Sequence, residues 1–98
     1  MKLMIQPLAE NAFYHGLKPK GGGRIAIRGR MEGEDIIFEV EDNGVGFDTG
    51  KLLDDRKHVG IRNIRGRLKA MVNGTLEIES KIGVGTKVLI KIPKEVEP

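Results

Sequence analysis

The chain has 98 residues, enough for one domain with a modest core, read here as a single unit over 1–98. It holds no cysteine, and no apolar run reaches the roughly 18 residues a membrane-spanning helix needs. Disulfides, thiolate metal sites and a spanning helix are therefore excluded within it, and with no signal-peptide pattern at the start a cytoplasmic setting is expected. The net charge of +3 is unevenly spread. Arg56, Lys57, Arg62, Arg65, Arg67 and Lys69 follow one another with no acid between Arg56 and Val72. Such a run is either a solvated helix face or a positive rim for an anionic ligand.

The spacing predicts a first helix from Met1 to Gly16, because Met1, Met4, Ile5, Leu8 and Ala12 recur on one stripe. Gly16 and Pro19 are expected to end it, and Lys20–Gly23 to act as a flexible connection. Two strands follow, 24–31 and 35–42. Ile36, Phe38 and Val40 share one face of the second, and Ile25 and Ile27 share one face of the first. A glycine-bearing polar segment then leads to a second helix from about Gly60 to Val72, with Ile61, Ile64, Leu68, Met71 and Val72 as its stripe and Asn73-Gly74 as its stop. Strands 75–81 and 86–92, joined across Ile82-Gly83-Val84-Gly85, complete the pattern. Helix, two strands, helix, two strands implies an α+β fold of two layers, with one mainly antiparallel sheet carrying both helices on one face.

Several polar residues stand where this layout needs apolar ones. Asn11 and His15, one turn apart, fall inside or at the edge of the apolar stripe of the first helix. They are either core groups satisfied by backbone or a pair facing a polar ligand. A carboxamide oxygen suits a hard cation such as Mg²⁺ in the company of phosphates. Asp42 continues the inward face of Ile36, Phe38 and Val40, so its carboxylate needs hydrogen-bond donors. It either forms an ordinary Asp-Asn-Gly turn or reads a donor such as an exocyclic amine. Gly44 and Gly46 leave room there for a ring to approach the backbone. The amides of Gly60, Ile61 and Arg62 open the second helix, where unpaired N–H groups suit phosphate. Thr86 follows the turn glycines Gly83 and Gly85 and points inward with Val88, Ile90 and Ile92.

Four motifs thus occur in order: Gln6-Pro7-Leu8-Ala9-Glu10-Asn11-Ala12-Phe13-Tyr14-His15-Gly16, Asp42-Asn43-Gly44-Val45-Gly46, Gly60-Ile61-Arg62-Asn63 and Gly83-Val84-Gly85-Thr86. Together they resemble the nucleotide pocket of the Bergerat-fold ATPases, and most closely the ATP-binding domain of sensor histidine kinases. The resemblance implies that Asn11 holds Mg²⁺ against the ATP phosphates and that His15 stands near them. It implies that Asp42 contacts the adenine amino group, that Gly85 and Thr86 close the adenine side, and that residues 47–59 form the ATP lid. One departure is His58, where the family's lid motif has a second glycine.

The hydrolysing relatives place a glutamate base one turn before the Mg²⁺ asparagine. Pro7 stands there and cannot act as a base, and Glu10 lies on the other side of the helix. Phosphoryl transfer to another group is expected instead of dedicated hydrolysis. The resemblance further implies a protein histidine kinase of a two-component system, a separate dimerisation domain carrying the phospho-accepting histidine, a response regulator reached indirectly, no nucleic-acid partner, and a membrane-anchored homodimer as the full-length form. The family domain has a strand and a helix before this point, so the chain reads as a trimmed fragment without an acceptor, inactive alone in autophosphorylation. Two alternatives are an anti-sigma-type serine kinase of the same fold and a non-catalytic module binding through the basic second helix. The second lacks aromatic platforms, with three Phe, one Tyr and no Trp.

Overall fold

The computed structural model describes residues 2–51 and 59–93, with side chains described at 5–50 and 60–93. Met1, the Met4 side chain, most of the expected lid including His58, and the tail 94–98 lie outside the described residues. The elements in chain order are α1 (Lys2–Asn11), a π-helical segment (Ala12–Leu17), β1 (Ile25–Glu32), β2 (Asp35–Asp42), a short 3₁₀ turn (Thr49–Lys51), α2 (Val59–Val72), β3 (Thr75–Lys81) and β4 (Gly85–Ile92).

The four strands form one antiparallel sheet in the order β1-β2-β4-β3. Two hairpins are thus joined through their inner members, and β1 and β3 are the edges. Period-two alternation sets the faces. The register aligns Val40 with Val88 and Phe38 with Ile90 on β2 and β4, and Ile90 in turn lies opposite Leu76 of β3. Against this face pack Leu8 of α1, Ala12 of the π-helical segment, and Ile61, Ile64 and Leu68 of α2. Leu8, Ile61, Leu68 and Ile90 are almost wholly buried. Each such side chain contributes about 1.5–3 kcal/mol of transfer free energy. The two-layer α+β sandwich expected from the periodicity is therefore the observed architecture.

Three details depart from the sequence reading. The first helix does not stop at Gly16. It changes hydrogen-bond pattern after Asn11 and runs as a π-helix to Leu17, closed by Lys18 N–H donating to Phe13 C=O at 2.8 Å. Gly16 sits inside this segment, and its missing side chain answers a packing demand: a Cβ there would lie 2.8 Å from Asp42 Oδ1. The connection Lys20–Gly23 is a hydrogen-bonded turn, with Lys20 and Gly22 N–H both donating to Leu17 C=O at 3.0 Å. Ile36, placed on the inward face, is exposed at the edge of the core, whereas Ile37 on the open face is buried. The stop at Asn73-Gly74 is made by a left-handed residue: Asn73 takes φ 54°, and Gly74 N–H donates to Leu68 C=O at 3.0 Å.

Candidate functional site

The inward face ends in polar groups where β2, β4 and the end of the first helix meet. Asp42 lies opposite Thr86 in the sheet register, so both point to the same side beneath the π-helical segment. Asn11, His15, Asp42, Gly46 and Thr86 border one narrow cavity, whose apolar walls include Leu8, Val40, Phe47 and Val88. Five of the ten residues picked out in the sequence are thus brought to one hollow. Its volume of about 20 Å³ admits a water molecule but not a nucleotide. A ligand must displace side chains to enter, and Phe47 belongs to the wall it would meet.

Asp42 is only 6% exposed. Its Oδ1 accepts the Gly44 N–H at 2.8 Å, and the backbone N–H of Thr86 also favours its charge. Burial outweighs these donors and pushes the carboxyl above the ordinary aspartate range. A carboxylate has about four acceptor positions. Two backbone donors leave it able to accept from a further group, and that group would be read inside an apolar-walled hollow.

The loop after Asp42 is held on two sides. Val45 N–H donates to Gly16 C=O at 3.0 Å, and Gly83 N–H donates to Val45 C=O at 2.7 Å. Phe47 N–H donates to Ser80 Oγ at 2.9 Å. Ser80 Oγ also lies 3.1 Å from Gly85 C=O and 2.7 Å from Thr86 Oγ1. A serine hydroxyl has one proton. With that proton on Gly85 C=O, Thr86 donates to Ser80 and keeps its own lone pairs. Ser80 is a structural partner of this site that motif reading passed over, and Gly16 and Phe47, read as a helix stop and part of the lid, are partners of it too. The inward alternation of β3 was the one signal for Ser80.

The glycines are explained by backbone approach. A Cβ on Gly44 would overlap the Gly16 backbone, one on Gly85 the Asp42 carbonyl, and one on Gly46 the Lys81 carbonyl. Gly46 and Gly85 also take φ of 69° and 142°. Chain packing alone therefore requires glycine at Gly44 and Gly85, and neither borders the cavity.

Gly60, Ile61 and Arg62 also stand apart from the cavity. Ile61 is fully buried, so only its amide is offered to a ligand. The first turn of α2 carries no acid. Anionic side chains favour a helix N-terminus, and Arg62 stands there instead. The first N–H groups of a helix have no acceptor within it, and here no anionic side chain stands in their own turn.

Asn11 is half-buried on the cavity wall, and its carboxamide makes no hydrogen bond with another described residue. Among the described residues no group of three or more His, Cys, Asp or Glu could hold a metal. An open carboxamide oxygen beside a ligand's own oxygens is the donor set that Mg²⁺ accepts, so the residues fit that ion as a co-ligand of phosphates. Glu10 faces away, where it accepts from Gln6 Nε2 at 3.1 Å on the exposed side. Among the described residues, Asp42 is therefore the only carboxylate at the cavity.

An antiparallel sheet under two helices, with polar groups gathered between helix end and sheet end, makes this a two-layer α+β domain with its candidate site at one end of the sheet. The family described as histidine kinase-, DNA gyrase B- and HSP90-like ATPases matches residues 1–96, and the chain belongs to it. It is similar to the uncharacterized protein YwpD of Bacillus subtilis, at 41% identity over 92% of this chain and 35% of that protein. It is also similar to the signal transduction histidine-protein kinase/phosphatase DegS of Bacillus subtilis, at 32% identity over 88% of this chain and 22% of that one. Among solved structures, the blue-light activated histidine kinase of Erythrobacter litoralis EL346 matches with a TM-score of 0.76 and 26% identity, over 93% of this chain and 28% of that one. The chain thus spans about a third or less of the length of these relatives. It is an ATP-binding domain of the histidine-kinase type. Among the described residues, no helix is long and apolar enough to cross a membrane.

Proposed function

We propose that this chain binds Mg²⁺-ATP as the catalytic domain, over 1–98, of a sensor histidine kinase and presents the γ-phosphoryl group to a histidine on a separate domain. The observation that carries this reading is Asp42, a carboxylate held in an apolar-walled hollow with acceptor capacity to spare. It accepts the adenine amino group. Thr86 and Gly46 flank it, with Gly44 and Gly85 setting the backbone that positions it. Asn11 and His15 lie along the same wall toward the phosphates. The N–H groups of Gly60, Ile61 and Arg62 face the phosphate charge from the other side.

Asn11 would hold Mg²⁺ through its side-chain oxygen, and the ion, when bound, would neutralise charge on the phosphate oxygens. The protein's own part is positioning: the adenine is fixed at Asp42 and the phosphates at the start of α2. Transfer is favoured over hydrolysis because Pro7 offers no base and Glu10 is turned outward. Water at the cavity therefore meets no carboxylate base among the described residues except the one engaged with the adenine. In the full-length protein the acceptor histidine belongs to the dimerisation domain, and a response regulator then receives the phosphoryl group. A membrane-anchored homodimer acting from the cytoplasmic side is the setting this implies.

Calorimetric titration with ATP, with and without Mg²⁺, tests the reading. Saturable binding that prefers adenine over guanine nucleotides and strengthens with Mg²⁺ is expected. A folded sample that binds neither nucleotide overturns it. Addition of the isolated acceptor domain of the same kinase to the ATP-bound chain is expected to give acid-labile phosphohistidine.

A further inference from the structure

The open face of the sheet divides into two halves with different charge balance. Toward one end the cations are matched. Arg28 pairs with Glu39 at 3.2 Å and with Glu41, and Arg30 pairs with Glu32 and Glu39, each at 2.9 Å. Lys91 pairs with Asp35 at 3.4 Å. Toward the end that carries Asp42, Arg24, Lys81 and Lys87 form no ion pair with any other described residue. These three border a groove of about 800 Å³.

Small residues make the hollow. Ala26 and Gly85 leave its floor low, Arg24 stands on the β1 bank and Lys81 on the β3 bank. Lys87 rises from the central strand β4 between them. Besides Asp42, whose carboxyl turns to the helix side, two carboxylates line it. Glu41 is engaged by Arg28, and Glu79 lies opposite Lys87 in the register. With Arg28 included, four cations face two carboxylates. The volume lies within the range of about 300–1,000 Å³ usual for small-molecule sites. Among the described residues no aromatic ring lines the groove, so none of them stacks a base there.

We propose that this groove is a second ligand site, for a small molecule carrying at least two carboxylate or phosphate groups. Arg24 and Lys81 hold the anionic groups from opposite banks, and Lys87 supplies charge from beneath. Arg28 is committed to Glu39 and Glu41 and acts as a wall. The site does not depend on the nucleotide reading, since it lies on the other face of the sheet. Asp42 and Thr86 border both hollows, so the two sites share a wall.

The test is an amide NMR titration of the isotopically labelled chain at fixed ionic strength without Mg²⁺, using citrate in one arm and pyrophosphate in the other. Saturable shifts centred on Ala26, Glu41, Gly85 and Lys87 are expected from at least one probe, and the preferred probe assigns the carboxylate or phosphate class. Lys81→Ala/Lys87→Ala is expected to weaken that binding at least fivefold while ATP affinity stays unchanged, and Arg24→Ala to weaken it separately. Asp42→Asn is expected to leave it intact. Shifts that do not saturate, that centre on Gly60–Arg62, or that survive the double substitution in a folded sample overturn the proposal.

Discussion

Glu39 and Asp42 stand three residues apart on β2, both buried, and the protein treats them in opposite ways. Glu39 faces the open side, where the guanidinium groups of Arg30 and Arg28 hold its carboxyl below the ordinary glutamate range. Asp42 faces the helix side, where burial raises its carboxyl despite the donors from Gly44 and Thr86. The first is fully matched by partners within the chain, and the difference marks it as structural. The second has, among the described residues, only backbone donors and keeps acceptor positions to spare. Burial of a charge therefore says little about function until its partners are counted.

Substitution at the two positions should separate them most sharply. Asp42→Asn is expected to weaken ATP binding by about 10–100-fold, the loss expected when a hydrogen bond to a charged group is removed. Its melting temperature should hold or rise, because the ionised carboxylate is disfavoured by folding. The pH dependence follows in sign: with the folded value raised, the wild type gains stability as pH falls from neutral toward the ordinary carboxyl range. Asp42→Asn lacks that gain. Calorimetry and melts across a pH series check both halves, and a large fall in melting temperature at neutral pH would break the comparison.

Next in size is Gly44→Ala, which drives a methyl group into the Gly16 backbone that confines Asp42. A loss of about 1–3 kcal/mol in urea unfolding is expected, as for overpacking elsewhere. Glu39→Gln should leave nucleotide affinity untouched. Because the Glu39 carboxyl is lowered, its stabilisation is present above the ordinary carboxyl value and is lost as pH falls through the folded one. Denaturation midpoints of the variant should therefore fall less steeply with acid than those of the wild type. The smallest effect is a control remote from both carboxylates. Gly66→Ala in α2 meets nothing within 4 Å and should stabilise the chain by about 0.5–1 kcal/mol.

Much of the architecture was legible because it rests on periodicity. The strand limits differ from expectation by about one residue, and Asn73-Gly74 announced the cap of α2 through its αL requirement. Asp42 was legible as an inward charge because alternation on β2 leaves it no other face. What escaped notice depends on contacts distant in sequence. Gly16 reads locally as a helix stop, yet its neighbour in space is Asp42. Ser80 is unremarkable until Phe47 N–H and Thr86 Oγ1 converge on it. The burial of Ile37 follows from its place mid-sheet between Arg30 and Lys91, which the register reveals and the hydrophobic pattern does not. The two hollows were equally hidden, because volume belongs to the packed molecule.

The π-helical segment has one more consequence. Such a helix takes more residues per turn than an α-helix, so Ala12–Leu17 carries surplus chain within a fixed axial span. A related chain winding this stretch as ordinary α-helix would reach the same two anchors with fewer residues. Roles assigned by counting along an ungapped alignment then slip out of phase somewhere past Ala12. The turn anchored on Leu17 C=O closes the segment, so its surplus residues are taken up before β1 begins.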